Sequence, residues 1–186
     1  MVDSRAASRY VKSLLGLAVE KNVLESVHSD MLLFAKVCDE NRAFELMLRN
    51  PIIKHDKKHE ILQKLFAGKV NAMTLAIFGI LTRKNREPLL PGIAKGFHAA
   101  YNIYNGIGRA FIITATPLDN LLRTEFENIG KQLSAQEKIE LTEKVDREMI
   151  GGFVLNVGDR QIDASIKNKL RTLKVKFSDN PYIKEF

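Results

Sequence analysis

Residues 105–116, NGIGRAFIITAT, decide how the chain is read. Before Asn105 every apolar pattern has a helical period. After Gly106-x-Gly108 the character changes: Phe111–Thr116 is short and β-branched, which predicts a strand. The glycines therefore read as a hinge between two kinds of structure. The predicted class is α+β, with a six-helix bundle over residues 1–105, a small α/β domain over 106–177 built from a short sheet and two helices, and a flexible tail over 178–186.

Working back from Asn105, a helix runs from about Pro88 to Tyr104. Another, near Val70–Arg83, is almost wholly apolar from Ala72 to Leu81 and ends at Lys84-Asn85-Arg86. A helix this apolar is buried on most sides or covered by a partner. A fourth helix places Ile61, Leu62, Leu65 and Phe66 on one side. A third, with Phe44, Met47 and Leu48, stops before Asn50-Pro51 because proline disfavours helix in the residue before it. The second carries Leu24, Val27, Met31, Ala35 and Cys38. The first is capped by Ser4 and turns Ala7, Tyr10, Val11, Leu14, Leu15 and Ala18 inward.

Working forward, Thr116-Pro117 reads as a helix start, a capping hydroxyl followed by proline at the first helical position. Leu118, Leu121, Leu122, Ile129 and Leu133 would form that helix's buried face. Ile139, Leu141 and Val145 then alternate with Lys138, Glu140, Thr142 and Lys144, the pattern of a half-buried strand. Phe153–Val157 is a strand, Gly158-Asp159 a tight turn, and Arg160–Ile162 pairs back. Asp163 would cap a last helix bearing Ile166, Leu170 and Leu173.

The net charge of +7 is unevenly spread. Residues 1–105 hold 16 Lys/Arg against 10 Asp/Glu, and residues 106–186 hold 13 against 12. Such an excess could meet nucleic acid, anionic lipid or an acidic protein. The single cysteine, Cys38, excludes an intrachain disulfide, fits a reducing compartment, and reads as a buried thiol. No apolar run approaches the ~20 residues of a membrane span. The first residues read as a domain helix and not as a leader, so Met1 is taken as the start of the functional protein.

Chemistry is sparse. His55 and His59 stand at zinc-ligand spacing, but Asp56 replaces the usual Glu, three lysines surround them, and no third ligand is evident. Gly106-x-Gly108 precedes a strand instead of following one, and so is no dinucleotide loop. Gly92-x-x-x-Gly96 reads as close helix packing. There is no P-loop and no nucleophile elbow. The basic residues are scattered and the aromatics fall at core positions, which gives no stacking platform for nucleic acid. Neither a metal nor a cofactor site is expected, and no catalytic residue is assigned.

Three segments resemble the delta subunits of bacterial F-type ATP synthases. Ala7-Ser-Arg-Tyr10 with Leu14 and Ala18-Val19-Glu20 is similar to the family's opening helix, with Val11 where alanine is common. Asn50-Pro51 followed by Lys58, Ile61, Leu62 and Leu65-Phe66 resembles the third-to-fourth helix region, continued by Leu81–Pro91 with Asn85 and Arg86. The most specific match is Gly151–Leu173, GGFVLNVGDRQIDASIKNKLRTL. There Gly151, Gly152, Gly158, Asp159, Asp163 and Ser165 fit the family pattern, while Gln161 and Ala164 depart from it. In physical terms these are turn and cap positions that maintain shape.

The resemblance implies a non-catalytic stator of the proton-translocating ATP synthase, present once per complex. It would be peripheral on the cytoplasmic face of the bacterial inner membrane. The helical bundle would bind the N-terminal helix of an alpha subunit in a groove between its first and fifth helices. Ala7, Tyr10, Leu14, Ile77, Ile80 and Leu81 are the expected contacts, although the same residues could be bundle core. The second domain would hold the C-terminal region of the b-subunit dimer through apolar and basic residues around Phe153–Leu173. The mitochondrial counterpart is the oligomycin-sensitivity-conferring protein. The alternative is a free-standing basic adaptor that binds RNA or an acidic protein.

Overall fold

The computed structural model describes residues 2–134, 136 and 138–178. Its contacts divide the chain between Tyr104 and Asn105 into two compact units. Among the described residues, the first unit holds helices α1 (Val2–Glu20), α2 (Leu24–Glu40), α3 (Arg42–Arg49), α4 (His55–Phe66), α5 (Ala72–Arg83) and α6 (Leu90–Tyr104). A 3-10 turn, Glu87–Leu89, precedes α6.

The bundle closes around aromatic side chains. Phe34 of α2 lies 5.0 Å from Phe78, 5.4 Å from Phe66 and 5.9 Å from Phe44, centroid to centroid. Leu14, Met31, Leu48, Leu62, Leu81 and Phe97 complete a core with almost no exposed surface. Full burial of a side chain of this size stabilises the fold by roughly 1.5–3 kcal/mol. Cys38 belongs to this core, and burial, reinforced by Asp39 and Glu45, pushes its thiol up to about 12. A protonated buried thiol is a packing group and not a nucleophile.

Polar groups fix the helix ends. Asp30 is buried, and its carboxylate accepts from the Asn71 N–H and the Thr74 hydroxyl, both at 2.7 Å. It thereby ties α2 to the positive end of α5. Asn71 caps α5 by accepting from the Met73 N–H at 2.9 Å. Helices α1 and α5 both end on an asparagine with positive φ, Asn22 (55°) and Asn85 (53°). In each case the next residue's N–H returns to a carbonyl five residues back, Val23 to Ala18 and Arg86 to Leu81. This is the Schellman closure, with asparagine doing what glycine usually does.

Three sequence expectations change here. Helix α1 already includes Val2, so Ser4 lies inside the helix and is not its cap. Pro88 falls in the 3-10 turn, and α6 starts at Leu90. The inner face of α4 is Lys58, Leu62 and Phe66, with Leu65 43% exposed. Lys58 can be buried because its ammonium donates to the Leu48 carbonyl at 2.9 Å.

The second unit is a four-stranded mixed sheet with two helices: β1 (Ile107–Thr114), α7 (Asn120–Ser134), β2 (Lys138–Val145), β3 (Phe153–Val157), β4 (Arg160–Asp163) and α8 (Ile166–Ser178). The strand order is β2-β1-β3-β4, with β1 parallel to β2 and the other two pairings antiparallel. A parallel pair needs a crossover, and α7 supplies it. Ala110, Ile112, Leu155 and Val157 of the sheet pack with Phe126 of α7. Phe126 meets Phe153 edge-on at 4.8 Å.

Strand β1 begins four residues earlier than expected. Gly108 is therefore a strand residue and not a hinge; a Cβ there would come within 3.0 Å of Ile139 Cδ1. Gly106, with φ of 63°, makes the turn into the strand. Helix α7 begins at Asn120, not at Pro117, because the Leu118 N–H is taken by the Glu143 carboxylate at 2.8 Å. Its inner face is Phe126 and Gly130, with Ile129, Leu133 and the preceding Leu118 packed beside them as expected, whereas Leu121 and Leu122 are 77% and 45% exposed. Apart from Ser178, the tail expected over 178–186 lies outside the described residues.

Candidate partner-docking surfaces

Helix α5 is buried through Thr74, Ile77, Phe78, Gly79, Leu81 and Thr82. Its exposed stripe, Ala72, Ala76 and Ile80, is nevertheless apolar, and Ile80 is 42% exposed. Leu17 of α1 is 48% exposed, and Tyr10 is half-buried. Arg86, redirected by the left-handed Asn85, donates to the Tyr10 hydroxyl at 2.9 Å and lies 5.9 Å from its ring centroid. This contact joins α1 to the end of α5.

The six expected groove residues thus separate. Tyr10 and Ile80 reach the surface. Leu14 and Leu81 are 1% and 0% exposed, so they hold the bundle together and cannot be touched without opening it. Ala7 and Ile77, at 8% and 9%, sit at the edge of the core. The helical period is the reason: residues four and seven apart on α1 share its inner face. Leu17 and Arg86 join Tyr10 and Ile80 at this surface, and neither is among the six expected contacts. An exposed leucine one helical turn beyond the core stripe was the available signal for the first, and the family-like segment Leu81–Pro91 already contained the second.

His55 and His59 do not converge on a common ligand position. His55 is exposed, 3.2 Å from Asp56. His59 packs on α5, with Nδ1 3.4 Å from the Thr82 hydroxyl and its ring against Gly79. Among the described residues no group of three metal-ligating side chains occurs, and no helix is long and apolar enough to cross a membrane.

In the second unit, the Gly151–Leu173 signature shapes the entry to α8. Gly152 has φ of 81°, and a Cβ on it would collide with the Ala164 carbonyl. At Gly151 a Cβ would meet Ile166 Cδ1 at 2.8 Å. The turn between β3 and β4 has positive φ only at Gly158 (56°), with the exposed Asp159 following; this is the type II′ pattern. The cap of α8 is Ser165, whose hydroxyl accepts from the Asn168 N–H at 3.2 Å. Asp163 stands before the cap and accepts from the Ser165 N–H at 2.9 Å. These bonds to Ser165, side chain first and backbone second, hold its carboxyl below the usual value. The Ile166 N–H donates to the Gly151 carbonyl at 3.0 Å, which ties the helix to the start of β3.

What this entry delivers is a helix with no buried residue. Ile166, Leu170, Leu173 and Phe177 are 40%, 54%, 47% and 85% exposed. Lys167, Lys169, Arg171, Lys174 and Lys176 accompany them, with no acidic residue in the helix. Phe177, the most exposed of the apolar four, continues the period of Ile166, Leu170 and Leu173 one turn beyond the family-like segment.

Comparison with known proteins agrees with this architecture. The family profile described as ATP synthase delta (OSCP) subunit matches residues 6–177. The ATP synthase subunit delta of Cytophaga hutchinsonii is 39% identical over 179 residues, covering 96% of this chain and 97% of that protein. That of Christiangramia forsetii is 37% identical over 183 residues, covering 98% of each. A chain of the Toxoplasma gondii mitochondrial ATP synthase hexamer, 21% identical, shares the fold with a TM-score of 0.72 over 94% of this chain and 98% of its own. On its profile match, its relatives and its two-part fold, the chain belongs to the ATP synthase delta (OSCP) subunit family, the non-catalytic stator-stalk component of F-type ATP synthases.

Proposed function

We propose that this chain couples the catalytic head to the membrane sector by holding one partner on each unit. The surface of α1 and α5 around Tyr10 and Ile80 takes the N-terminal helix of an alpha subunit. Helix α8 takes the C-terminal region of the b-subunit dimer. Held at both ends, one copy per complex resists rotor torque, so that proton flow drives ATP synthesis. In that role the chain would lie on the cytoplasmic face of the bacterial inner membrane; among the described residues no helix is long and apolar enough to cross it.

The observation that carries this reading is the open face of α8. A helix whose apolar residues face water gains stability when a partner covers them. Its five cations favour an acidic partner helix and speed encounter with it. On α1 and α5 the apolar surface is smaller, and Tyr10, held by Arg86, is the aromatic anchor such interfaces favour. Membership of a stator-stalk subunit family weighs against the free-standing adaptor that binds RNA or an acidic protein.

The test uses two captures from solubilised membranes. A chain carrying Leu170→Asp and Leu173→Asp is expected to lose the b subunit and keep an alpha N-terminal peptide. A fragment ending at residue 105 is expected to behave the same way. Retention of b by both would refute the division of labour.

A further inference from the structure

In α8 the apolar residues Ile166, Leu170, Leu173 and Phe177 follow one another at intervals of 4, 3 and 4. That is the repeat of the inner positions of a coiled coil. The positions that flank such a stripe are Lys167 and Lys174 on one edge and Lys169 and Lys176 on the other. All four flanking positions are therefore lysine. Each is exposed, and none is ion-paired among the described residues.

Helix α1 shows that this is not a necessary feature of the repeat. The positions that flank its own stripe are Ser8, Tyr10, Leu15 and Leu17, and Tyr10 and Leu15 pack against the bundle core. Apolar flanks widen a stripe so that several neighbours can enclose the helix. A stripe confined to the inner positions is the narrow seam that one helix covers. The seam of α8 faces water, because the helix has no buried residue.

The lysines also act against one partner. An exposed apolar helix invites pairing with a second copy of itself. If two copies of α8 met seam to seam, parallel or antiparallel, lysine would face lysine along both edges, and like charges in that position oppose pairing. The same edges favour a helix of opposite charge, so repulsion and attraction together set the choice of partner.

From this pattern we propose that α8 is one strand of a two-helix contact whose partner is chosen by charge. The partner is a single helix with its apolar residues in the same repeat and Asp or Glu at the flanking positions, and a second copy of this chain is excluded. That the helix belongs to the b subunit rests on the function proposed above; the pairing rule does not.

The rule is tested in the full chain without b, by sedimentation equilibrium. One variant carries Lys167→Glu, Lys169→Glu, Lys174→Glu and Lys176→Glu; another carries the same four changes to Gln. The unmodified chain and the Glu variant are each expected to stay monomeric, while an equimolar mixture forms a one-to-one dimer at least about tenfold more tightly than either chain pairs with itself. The Gln variant, relieved of repulsion, is expected to self-associate at least about tenfold more strongly than the unmodified chain. Leu170→Gln with Leu173→Gln in the unmodified partner removes the seam at constant charge and should abolish the mixed dimer. A mixture that pairs no better than its components, a mixed dimer that survives loss of the seam, or an unmodified chain that dimerises as readily as the Gln variant would overturn the proposal. If the Glu variant fails to fold, the Gln comparison still decides. None of these outcomes involves b, so failure of the rule and failure of the b assignment are told apart.

Discussion

Helices α1 and α8 carry their apolar residues at the same spacing. Ala7, Val11, Leu14 and Ala18 stand 4, 3 and 4 residues apart, and so do Ile166, Leu170, Leu173 and Phe177. Their fates are opposite. The first set is 8%, 5%, 1% and 0% exposed; the second is 40%, 54%, 47% and 85%. A periodic stripe says that a helix will be covered on one side. It does not say whether the cover comes from its own chain. In α1 the cover is the rest of the bundle, so its stripe is a matter of stability. In α8 it is proposed to be a partner, so its stripe is a matter of assembly.

That contrast can be broken most forcefully in the core. Leu14→Ala or Leu81→Ala is expected to cost about 2–5 kcal/mol of stability, since each removes fully buried methyl groups and leaves a cavity. Leu170→Ala or Leu173→Ala is expected to stay within about 0.5 kcal/mol, as exposed substitutions usually do. Urea unfolding followed by circular dichroism measures both, and equal losses would erase the distinction.

A somewhat smaller effect is expected at the entry to α8. Gly152→Ala places a Cβ on a left-handed backbone against the Ala164 carbonyl and should destabilise the second unit by about 1–3 kcal/mol. Amide NMR should then show β3, β4 and α8 disturbed while the first unit keeps its spectrum. On the α1–α5 surface, Tyr10→Asp or Ile80→Asp is expected to weaken an alpha N-terminal peptide about tenfold or more by calorimetry, with the bundle folded. Unchanged affinity would remove those two residues from the docking surface.

The smallest effect is set by pH. The Asp163 carboxyl is held below its ordinary 3.8 by its bonds to Ser165. A carboxyl lowered in the folded chain contributes stability above its unfolded value and loses it as pH falls through the folded one. The turn before α8 should therefore loosen only on the acid side of that value. Asp163→Asn should flatten the acid limb of the second unit's unfolding profile without changing it near neutrality.

Much of this was legible in the chain itself. Six helices, the β3–β4 hairpin and the last helix follow from period and turn chemistry. The errors came from contacts distant in sequence. The start of α7 could not be placed from Thr116-Pro117, because the Leu118 N–H is claimed by Glu143, 25 residues away. Glu143 itself interrupts the apolar alternation of Ile139, Leu141 and Val145, and that interruption was the clue to a polar tie. Gly108 looked like a hinge because glycine marks flexibility and close approach alike. The groove residues Leu14 and Leu81 carried the right chemistry for a partner, but only packing reveals that the bundle itself encloses them.

Amide hydrogen exchange on the full chain, with and without the C-terminal segment of the b subunit, tests the central claim most directly. If a partner covers α8, the amides of residues 166–178 should exchange at least about tenfold more slowly when b is bound, while those of α1 stay protected throughout. Binding of b that protects other segments and leaves α8 unchanged would contradict it.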